Sequence, residues 1–348
     1  MSRKSVRILI FLLLLNMFYV IPHIHLANAA ETIIYIRADG SVNPKEAPIS
    51  TVDNITYILT DNIANCSVVI ERNGITIDGN KHTITGTGIF GKPGINATQV
   101  NGITIKRAKI SNASPAAIWL YECSNCTLQE NELTGKTYGI YPNFCSNIII
   151  LRNKVMNNQG GGLYVANSFN FIIKQNLIAA NPPFGIGFVG STNSTVTKNA
   201  IANNGGPGIR VYTSTNIRLH HNDFVNNAGK AFSQSSTVIW DDGSEGNYWS
   251  DYNGTDVNQD GVGDTPYVIG SNNIDHYPLM QPLTVTLMGD VNYDGVVNIL
   301  DITIIGSAYG SNQIDPNYIL QADLAPPYGV INMLDAVTCA AHYAETFP

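Results

Sequence analysis

Residues 147–165, NIIILRNKVMNNQGGGLYV, recur with substitutions as residues 170–188, NFIIKQNLIAANPPFGIGF, and again as residues 193–211, NSTVTKNAIANNGGPGIRV. The repeat has a period of about 23 residues and extends from Asn125 to Phe232. Each copy starts with one asparagine and has another six residues later; the two sets are Asn125, Asn147, Asn170, Asn193, Asn216 and Asn131, Asn153, Asn176, Asn199, Asn222. Self-similarity at such a period is typical of stacked-repeat architectures.

Three short runs of alternating apolar residues make up each copy, with Asn or Gly between them. In the first copy quoted, the candidates for inward-facing side chains are Ile148, Ile150, Val155, Leu163 and Val165. Such runs predict three strands and three bends per copy, and the frequent Gly and Asn residues disfavour helical and leucine-rich repeats. We therefore predict an all-β main domain, a right-handed parallel β-helix with three strands per coil and coils about 4.8 Å apart.

The recurring asparagines have two roles in this prediction. Asn tolerates the left-handed backbone that a tight bend requires. Identical amides one coil apart can also form a hydrogen-bonded ladder along the stack. A single coil buries too little apolar surface to fold alone, so neighbouring coils must stabilise each other.

The N-terminus predicts export. Basic residues at 3–7, an apolar run at 8–21 and an A-x-A sequence at 27–29 are typical of a signal peptide, which we place at residues 1–29. No other segment is long and apolar enough to span a membrane, so we expect an extracytoplasmic protein, secreted or at the cell surface, with no membrane span after cleavage. The predicted order that follows is N-terminal cap strands at 30–72, the β-helix at 73–240, an acidic closing segment at 241–282 and a small domain at 283–348.

Charge is divided unevenly along the chain. Residues 31–240 hold 16 Lys and Arg against 11 Asp and Glu, whereas residues 241–348 hold 15 Asp and Glu and no Lys or Arg. This break places a domain boundary near Trp240. An acidic segment without bases either repels itself or binds cations, and we find no basic patch that would indicate nucleic-acid binding.

Two loops in the acidic part have calcium-ligand spacing. Oxygen ligands at alternate positions, a central glycine and a terminal carboxylate are the arrangement that calcium requires. The ligands predicted for the first loop are Asp290, Asn292, Asp294, the Val296 carbonyl, Asn298 and Asp301. Those predicted for the second, less complete loop are Asp256, Asn258, Asp260, the Val262 carbonyl and Asp264. Calcium is the only cofactor that we predict.

The segment from Gly289 to Tyr343 resembles a dockerin, a pair of half EF-hand repeats. The resemblance rests on GDVNYDGVVNILD at residues 289–301 and on a poorer copy, ADLAPPYGVINMLD, at residues 322–335. It implies a small α-helical calcium-binding domain whose partner is a cohesin-like or cell-envelope protein that binds residues 283–348. Ile299-Leu300 and Met333-Leu334 stand where dockerins often have small hydroxyl residues.

The region from Gly74 to Pro282 resembles the NosD-type β-helix family, named for a periplasmic protein of nitrous oxide reductase maturation. The coil repeats carry this resemblance, together with GNYWSDYNGTDVNQDGVGDTPYVIGSNNIDHYPLM at residues 246–280. The family name suggests copper. His220, His221, His276 and Met280 show no soft-ligand spacing, and we expect the histidines to be exposed and unrelated to a metal.

Catalytic groups are scarce in the central coils. No Asp or Glu lies between Glu132 and Asp223, although glycoside hydrolysis needs two carboxylates and a calcium-dependent lyase needs clustered acids. Stacking would place Glu130 between Arg107 and Arg152 in a ladder of alternating charge on an outer strand face. We expect no catalytic residues.

A binding surface is more evident. Trp119, Tyr141 and Tyr164 follow the Gly/Ala-apolar pair in three consecutive copies and should point outward, one coil apart. Their rings could form a platform for sugar rings, or they could stack on each other. Cys123 and Cys145 share one slot in adjacent copies, where a disulfide and two free thiols are both compatible with the spacing.

The predicted function combines these features. We expect a secreted, non-catalytic β-helix that binds a polysaccharide or cell-surface ligand and attaches to a partner through its calcium-binding module. The alternatives are a polysaccharide lyase or glycoside hydrolase of the β-helix type, and a periplasmic copper accessory protein.

Overall fold

The computed structural model describes residues 32–270, 272–283, 289–292, 296–312, 315, 317–319, 322–325 and 330–345. The chain divides into two compact units, Met1–Thr32 and Ile33–Pro348, and the architecture below is that of the second. The predicted signal peptide lies outside the described residues.

Within the described residues, 31 strands and two helices are present. The first sheet contains β1 (Thr32–Ile36), β2 (Val42–Asn43), β6 (Cys66–Ile70), β9 (Ile95–Thr98), β12 (Ala116–Tyr121), β15 (Tyr138–Asn143), β18 (Gly161–Ala166), β21 (Ile186–Val189), β24 (Ile209–Tyr212) and β27 (Phe232–Gln234). The second contains β3 (Ile49–Ser50), β4 (Thr56–Leu59), β7 (Thr76–Asp78), β10 (Thr104–Lys106), β13 (Thr127–Gln129), β16 (Ser146–Leu151), β19 (Phe169–Lys174), β22 (Thr192–Thr197), β25 (Thr215–His220) and β28 (Val238–Ile239). The third contains β5 (Ile63–Ala64), β8 (Thr83–Thr85), β11 (Lys109–Ser111), β14 (Glu132–Thr134), β17 (Lys154–Met156), β20 (Leu177–Ala179), β23 (Ala200–Ala202), β26 (Asp223–Val225) and β29 (Tyr248–Trp249). A separate hairpin pairs β30 (Tyr267–Gly270) with β31 (Asn273–Asp275), and the helices are α1 (Ile299–Ser307) and α2 (Met333–Ala341).

The three long sheets form a right-handed parallel β-helix, as the sequence predicted. Each coil contributes one strand to each sheet, and strands at equivalent positions pair in parallel: Leu133 lies beside Val155, and Val155 beside Ile178. The described residues hold about eight such coils. The predicted inward residues, Ile148 and Val155 among them, are fully buried and form one apolar core inside the sheets.

A buried ladder of asparagine side chains runs along this core. Its members are Asn131, Asn153, Asn176, Asn199, Asn222 and Asn247. Nδ2 of Asn153 donates to Oδ1 of Asn176 at 3.0 Å, and Nδ2 of Asn176 donates to Oδ1 of Asn199 at 2.9 Å. The same Oδ1 atoms also accept backbone N–H groups, for example from Asn153 at 2.8 Å. The predicted ladder is confirmed, and it satisfies backbone groups at a bend that would otherwise be buried without partners.

A second, exposed ladder accounts for the other set of asparagines. Asn125, Asn147, Asn170, Asn193 and Asn216 all have φ between +52° and +60°, which confirms their predicted role in left-handed bends. The buried asparagines are different, because the left-handed residue at their bend is the one before them, such as Arg152 before Asn153 or Gln175 before Asn176. The exposed set therefore has both roles that the sequence assigned, because its amides also hydrogen-bond from coil to coil, whereas the buried set has only the ladder.

The β-helix begins earlier than the predicted boundary at residue 73. Strands β4, β5 and β6, within residues 56–70, already pair in parallel with β7, β8 and β9. At the N-terminal end, antiparallel strand pairs, which suit a terminal cap, are formed by β1 with β2 and by β3 with β4. The first coil lacks the asparagine repeat but buries Tyr57, Leu59 and Val68 in the common core, and this burial places it in the stack.

The closing segment ends the stack with aromatic rings and one buried carboxylate. Trp249 lies between Phe224 and Tyr267, with ring centroids 4.4 and 4.5 Å away and nearly parallel planes. The carboxylate of Asp275 accepts N–H groups from Asn247 at 2.8 Å and from the Trp249 indole at 2.9 Å. Burial raises the pKa of Asp275 to about 6. The third sheet continues through β29 into this segment, so the predicted boundary at residue 240 lies inside the fold.

Helices α1 and α2 form the described core of the C-terminal segment. Each begins at a capping box, with Asn298 and Asp301 for α1 and Asn332 and Asp335 for α2. The two helices share a small apolar cluster that includes Val297, Ile305 and Cys339. Two short helices agree with part of the predicted domain, and its dockerin-like character stays a prediction. In the described residues no helix is both long and apolar enough to cross a membrane.

Candidate functional site

Trp119, Tyr141 and Tyr164 lie one above another on the outer face of the first sheet, and we call them the aromatic file. Trp119 pairs with Tyr141, and the pairing of Ile140 with Leu163 places Tyr164 next in line. All three side chains are half-buried. The strand register therefore brings the predicted residues together.

The rings of the aromatic file contact each other edge to face. Trp119 and Tyr141 have centroids 4.6 Å apart with planes at 60°, and Tyr141 and Tyr164 have centroids 5.1 Å apart with planes at 67°. Of the two arrangements left open by the sequence, the structure shows rings that pack on one another. Edge-to-face pairs are a favourable aromatic geometry and fix the rings in place. Because the planes are tilted, the file presents ring edges and faces together rather than one flat platform.

Three further residues complete this surface, and the repeat pattern did not indicate them. Tyr138 lies parallel to Tyr164 with centroids 5.0 Å apart. The ring of Phe184 lies 6.3 Å from both tyrosines, and the guanidinium carbon of Arg210 lies 3.5 Å from the Phe184 centroid. Burial raises the pKa values of Tyr138 and Tyr141, so their hydroxyl groups stay protonated at neutral pH.

The carboxylates closest to the central coils take part in surface ion pairs. Glu130 contacts Arg152 at 2.8 Å and Glu132 contacts Lys109 at 3.1 Å. The predicted alternating column is incomplete, because Arg107 pairs with Asp78 of the preceding coil. Surface ion pairs of this kind contribute little to stability. Glu130 lies in the bend between the second and third sheets and Glu132 in a strand of the third, so neither lies on the first sheet with the aromatic file.

The loop at residues 256–264 is folded around its own carboxylates. Asp256 accepts the backbone N–H groups of Asp260 at 3.1 Å and Gly261 at 2.9 Å, while Asp264 accepts that of Val257 at 2.7 Å. Asn258 donates to Asp260 at 2.9 Å. The predicted ligand residues thus converge on one turn.

The loop at residues 290–301 is described except for residues 293–295, so Asp294 lies outside the described part. Asp301 is fully buried and accepts the backbone N–H groups of Asn292 at 3.1 Å and Asn298 at 2.8 Å. Asp290 is also buried. The described predicted ligands therefore belong to one compact loop at the start of α1, and calcium binding there stays a prediction.

The stacked cysteines are free thiols in the structure. Cys123 and Cys145 are buried in adjacent coils, and the slot continues as Ser168 and Ser191. The serine hydroxyl groups accept N–H groups along the stack, at 3.0 Å from Cys145 to Ser168 and at 3.2 Å from Ser168 to Ser191. The thiols take the positions of these hydroxyl groups at the N-terminal end of the row.

A cluster of metal-ligating side chains lies at the end of β25. His220, His221 and Asp242 each offer a ligand atom, and these atoms lie within 4.8 Å of one another. The Nδ1 atoms of the two imidazoles are 2.9 Å apart. The turn after β28 brings Asp242 to the two histidines, and no sequence spacing indicated this approach; the three side chains could hold a metal ion, which the sequence did not lead us to expect.

Neighbouring groups hold the cluster in place. Nε2 of His221 lies 2.8 Å from a carboxylate oxygen of Glu245. An ionised carboxylate only accepts hydrogen bonds, so Nε2 is the donor in this contact. In the neutral tautomer that makes this contact, the lone pair of the ring is on Nδ1. Oδ1 of Asp242 accepts the backbone N–H groups of Ser244 at 2.9 Å and Glu245 at 2.8 Å, while its Oδ2 lies 3.7 Å from Nε2 of His221.

The ionisation of the cluster favours metal binding. The backbone N–H of Glu245 lowers the pKa of Asp242 to about 2, and burial, with the adjacent His221, lowers the pKa of His220. At neutral pH the site therefore offers the neutral imidazole of His220 and the ionised carboxylate of Asp242, which are the forms that bind metal ions.

Comparison with known proteins gives one family. The family model described as "Periplasmic copper-binding protein (NosD)" matches residues 51–254. No curated protein matches the chain.

Several solved structures are similar to the chain at low identity. The periplasmic alginate epimerase AlgG is 16% identical over 61% of this chain and 71% of that chain, with a TM-score of 0.40. The A-module of the Azotobacter vinelandii mannuronan C-5 epimerase AlgE4 is 14% identical over 55% and 72%, with a TM-score of 0.31. Tailspike protein 2 of the Escherichia coli O157:H7 bacteriophage CAB120 is 14% identical over 62% and 40%, with a TM-score of 0.36. At these identities the likeness concerns the fold and no activity.

Proposed function

Because the chain belongs to the NosD family, described as periplasmic copper-binding proteins, we propose that it binds copper(II) outside the cytoplasm through His220, His221 and Asp242. The observation that carries this proposal is the 2.9 Å separation of the two imidazole Nδ1 atoms beside a carboxylate. Two nitrogens bound at about 2.0 Å to one ion, at a right angle, lie about 2.8 Å apart. The pair is therefore spaced like two adjacent ligands of a single ion, which would replace the proton of the hydrogen bond that joins the two nitrogens in the structure.

The donor set favours copper(II) over copper(I). Imidazole nitrogen and carboxylate oxygen suit copper(II), whereas copper(I) is selected by thiolate and thioether sulfur, which this cluster does not contain. The cluster is accessible, since the histidines are partly exposed and Asp242 is exposed. An accessible site suits an ion that is taken up and passed on as cargo, which is the metal accessory role among the predicted alternatives.

Copper titration of the purified chain tests this proposal. We expect one copper(II) per chain at this site and a type 2 electron paramagnetic resonance signal with nitrogen hyperfine splitting. Replacement of either histidine, as in His221→Ala, should weaken binding by more than the roughly 10–100-fold that loss of an outer-shell partner costs. The matched control is His82→Ala, in the second coil, which should bind copper as the parent does. Unchanged affinity in a His220→Ala/His221→Ala double variant would refute the site.

The aromatic file favours a second candidate function, non-catalytic binding of a polysaccharide or cell-surface ligand by a secreted protein. The supporting observation is a row of half-buried rings fixed one coil apart on an outer face of the β-helix. Aromatic rings with one exposed side are common in such binding surfaces. Tyr141→Ala, at the centre of the row, should reduce retention of the protein on an immobilised polysaccharide, whereas Tyr35→Ala should not.

The acidic loops support a further proposal, that the C-terminal part binds calcium and docks on a cohesin-like or cell-envelope protein. The helices carry exposed apolar side chains at their N-terminal ends, including Ile299 and Leu300 on α1 and Met333 and Leu334 on α2, each at least half exposed. Exposed apolar groups in two equivalent positions fit a protein partner.

Calcium titration by calorimetry tests the loops individually. Asp301→Asn should abolish the heat of binding from residues 290–301, and Asp256→Asn that from residues 256–264, because each change removes an anionic ligand. Absence of any calcium-induced heat in the parent chain would refute calcium binding. A Leu300→Asp/Leu334→Asp variant that still binds a cohesin as the parent does would refute the docking surface.

A further inference from the structure

We infer that the ligand of the aromatic file is an anionic polysaccharide built from uronic acids, and that Arg210 selects it by binding a carboxylate of the polymer. This inference rests on the proposed polysaccharide binding and adds the class of polymer and the residue responsible. It concerns a different face of the molecule from the histidine cluster.

Arg210 extends the row of the aromatic file by two coils. Tyr164 pairs with Gly187, and Gly187 pairs with Arg210 on the next strand. Its guanidinium group stacks on Phe184 at 3.5 Å and lies 6.0 Å from the centroid of Tyr164. The cation therefore lies at one end of the aromatic surface, within reach of a ligand that follows the row.

The guanidinium group has no polar partner. The side chain of Arg210 makes no hydrogen bond or ion pair with any residue that the structure describes, and its Nε is a buried donor without an acceptor. A guanidinium carries five N–H donors in a planar fork that matches a carboxylate, and a buried donor without a partner is unfavourable. An acidic sugar on this face would supply the acceptors that the protein does not.

Two glycines make room for this arrangement. A Cβ at Gly187 would lie 3.0 Å from the ring of Phe184, 3.2 Å from Nε of Arg210 and 3.3 Å from the ring of Tyr164. The Phe184 ring itself fills the space over Gly161, which has φ +133°. Because neither position carries a side chain, the arginine and the rings can lie side by side on one surface.

The charge of the coils agrees with an anionic ligand. From residue 133 to residue 222 there is no Asp or Glu, although the chain as a whole has a formal charge of −7. The same stretch contains the bases Lys136, Arg152, Lys154, Lys174, Lys198, Arg210 and Arg218. The coils that carry Tyr141, Tyr164 and Arg210 are thus locally positive and attract polyanions, whereas the coil of Trp119 also contains Glu122, Glu130 and Glu132.

The packing of the rings favours a sugar polymer over a single-stranded nucleic acid. Nucleic-acid bases bind by stacking flat on exposed aromatic faces. In the aromatic file, centroids 4.6 and 5.1 Å apart and edge-to-face contact leave no slot for a base between successive rings. A saccharide chain that lies along the row needs only the outer surface of the rings.

Calorimetry with short oligosaccharides tests the inference. The probes are hexuronic acid hexamers of several linkages, each with its methyl ester, so that the two members of a pair differ only in charge. The parent chain should bind at least one acid hexamer about tenfold more tightly than its ester, as expected for a charge-assisted hydrogen bond. The preference should decrease as salt is added.

Variants separate the roles of charge and stacking. Arg210→Gln should lose the preference for acid over ester while its affinity for the ester is unchanged, and Arg210→Lys should keep part of it. Arg218→Gln removes the same charge from an exposed position on the second sheet and should keep the full preference. Trp119→Ala should weaken binding of acid and ester alike. Thermal unfolding of each variant checks that the coils remain folded.

The outcomes discriminate between the two proposals. Equal affinity for acid and ester would overturn the inference and leave the polysaccharide function standing. Binding of neither form, and of no neutral polysaccharide, would overturn the function itself. A preference that survives Arg210→Gln would exclude Arg210 as its source. An oligothymidylate that binds as tightly as the best hexamer would assign the face to nucleic acids instead.

Discussion

Replacing Asn176 by alanine is expected to lower the free energy of unfolding by about 3–5 kcal/mol, since each buried polar group left without a partner costs about 1–3 kcal/mol. The side chain of Asn176 donates to the Ile150 carbonyl at 2.9 Å and to Asn199 at 2.9 Å, and it accepts the backbone N–H of Asn153 at 2.8 Å. Alanine supplies none of these contacts, and the site is closed to water. Urea unfolding followed by far-ultraviolet circular dichroism measures the change.

The matched control is Asn170→Gly, in the exposed ladder. Glycine keeps the left-handed backbone at φ +60° and removes the hydrogen bond of 3.0 Å to Asn147, whose loss water can compensate. We expect a change of about 1 kcal/mol or less. Equal losses in the two variants would mean that the buried ladder contributes no more than the exposed one.

Gly246→Ala is expected to destabilise the closing segment by about 3 kcal/mol or more, because overpacking and the loss of buried hydrogen bonds act together. A Cβ at Gly246 would overlap the carboxylate of Asp275, and both residues are buried. Moving that carboxylate would break its hydrogen bonds from Asn247 and from the indole of Trp249. Tryptophan fluorescence during urea unfolding should show an earlier transition, and limited proteolysis should cut near residues 241–280 first.

Gly270→Ala is the control for this change. Nothing lies within 4 Å of a Cβ built there and its φ is not positive, so we expect a difference of about 0.5 kcal/mol or less. Gly246→Ala should also weaken copper binding, because the backbone oxygen of Gly246 accepts the N–H of His221 at 2.5 Å. A variant with parent-like stability would show that the carboxylate can move at no cost.

The coil repeat was predictable because stacking repeats the same environment at the same sequence interval. Asn153 and Asn176 lie over one another because each occupies the same position in its coil, and the same reasoning placed Tyr141 beside Tyr164. The first coil was missed because its bends use other residues, although Tyr57 and Val68 are buried in the same core.

The histidine cluster and the arginine were not predictable in this way. His221 meets Asp242 and Glu245 only because the chain leaves the repeat after β28 and turns back, and no periodic signal describes that turn. Phe184 occupies a bend position where the preceding coil has Gly161, so its contact with Arg210 arises from a break in the pattern. Both sites form where the chain departs from the repeat. In a single sequence such departures are visible only as irregular positions, with no indication of which residues they bring together.

The buried asparagine ladder also bears on how this protein can change its length. Every amide in it points the same way, and the last donor, Nδ2 of Asn247, meets the carboxylate of Asp275 at 3.3 Å. Loss or gain of one whole repeat unit, such as residues 170–192, would bring asparagines of the same geometry next to each other. The last amide of the ladder would still donate to the carboxylate of Asp275. We therefore expect natural variants with fewer or more coils, in which the cluster of His220, His221 and Asp242 shifts along the axis by one coil while its own geometry is kept.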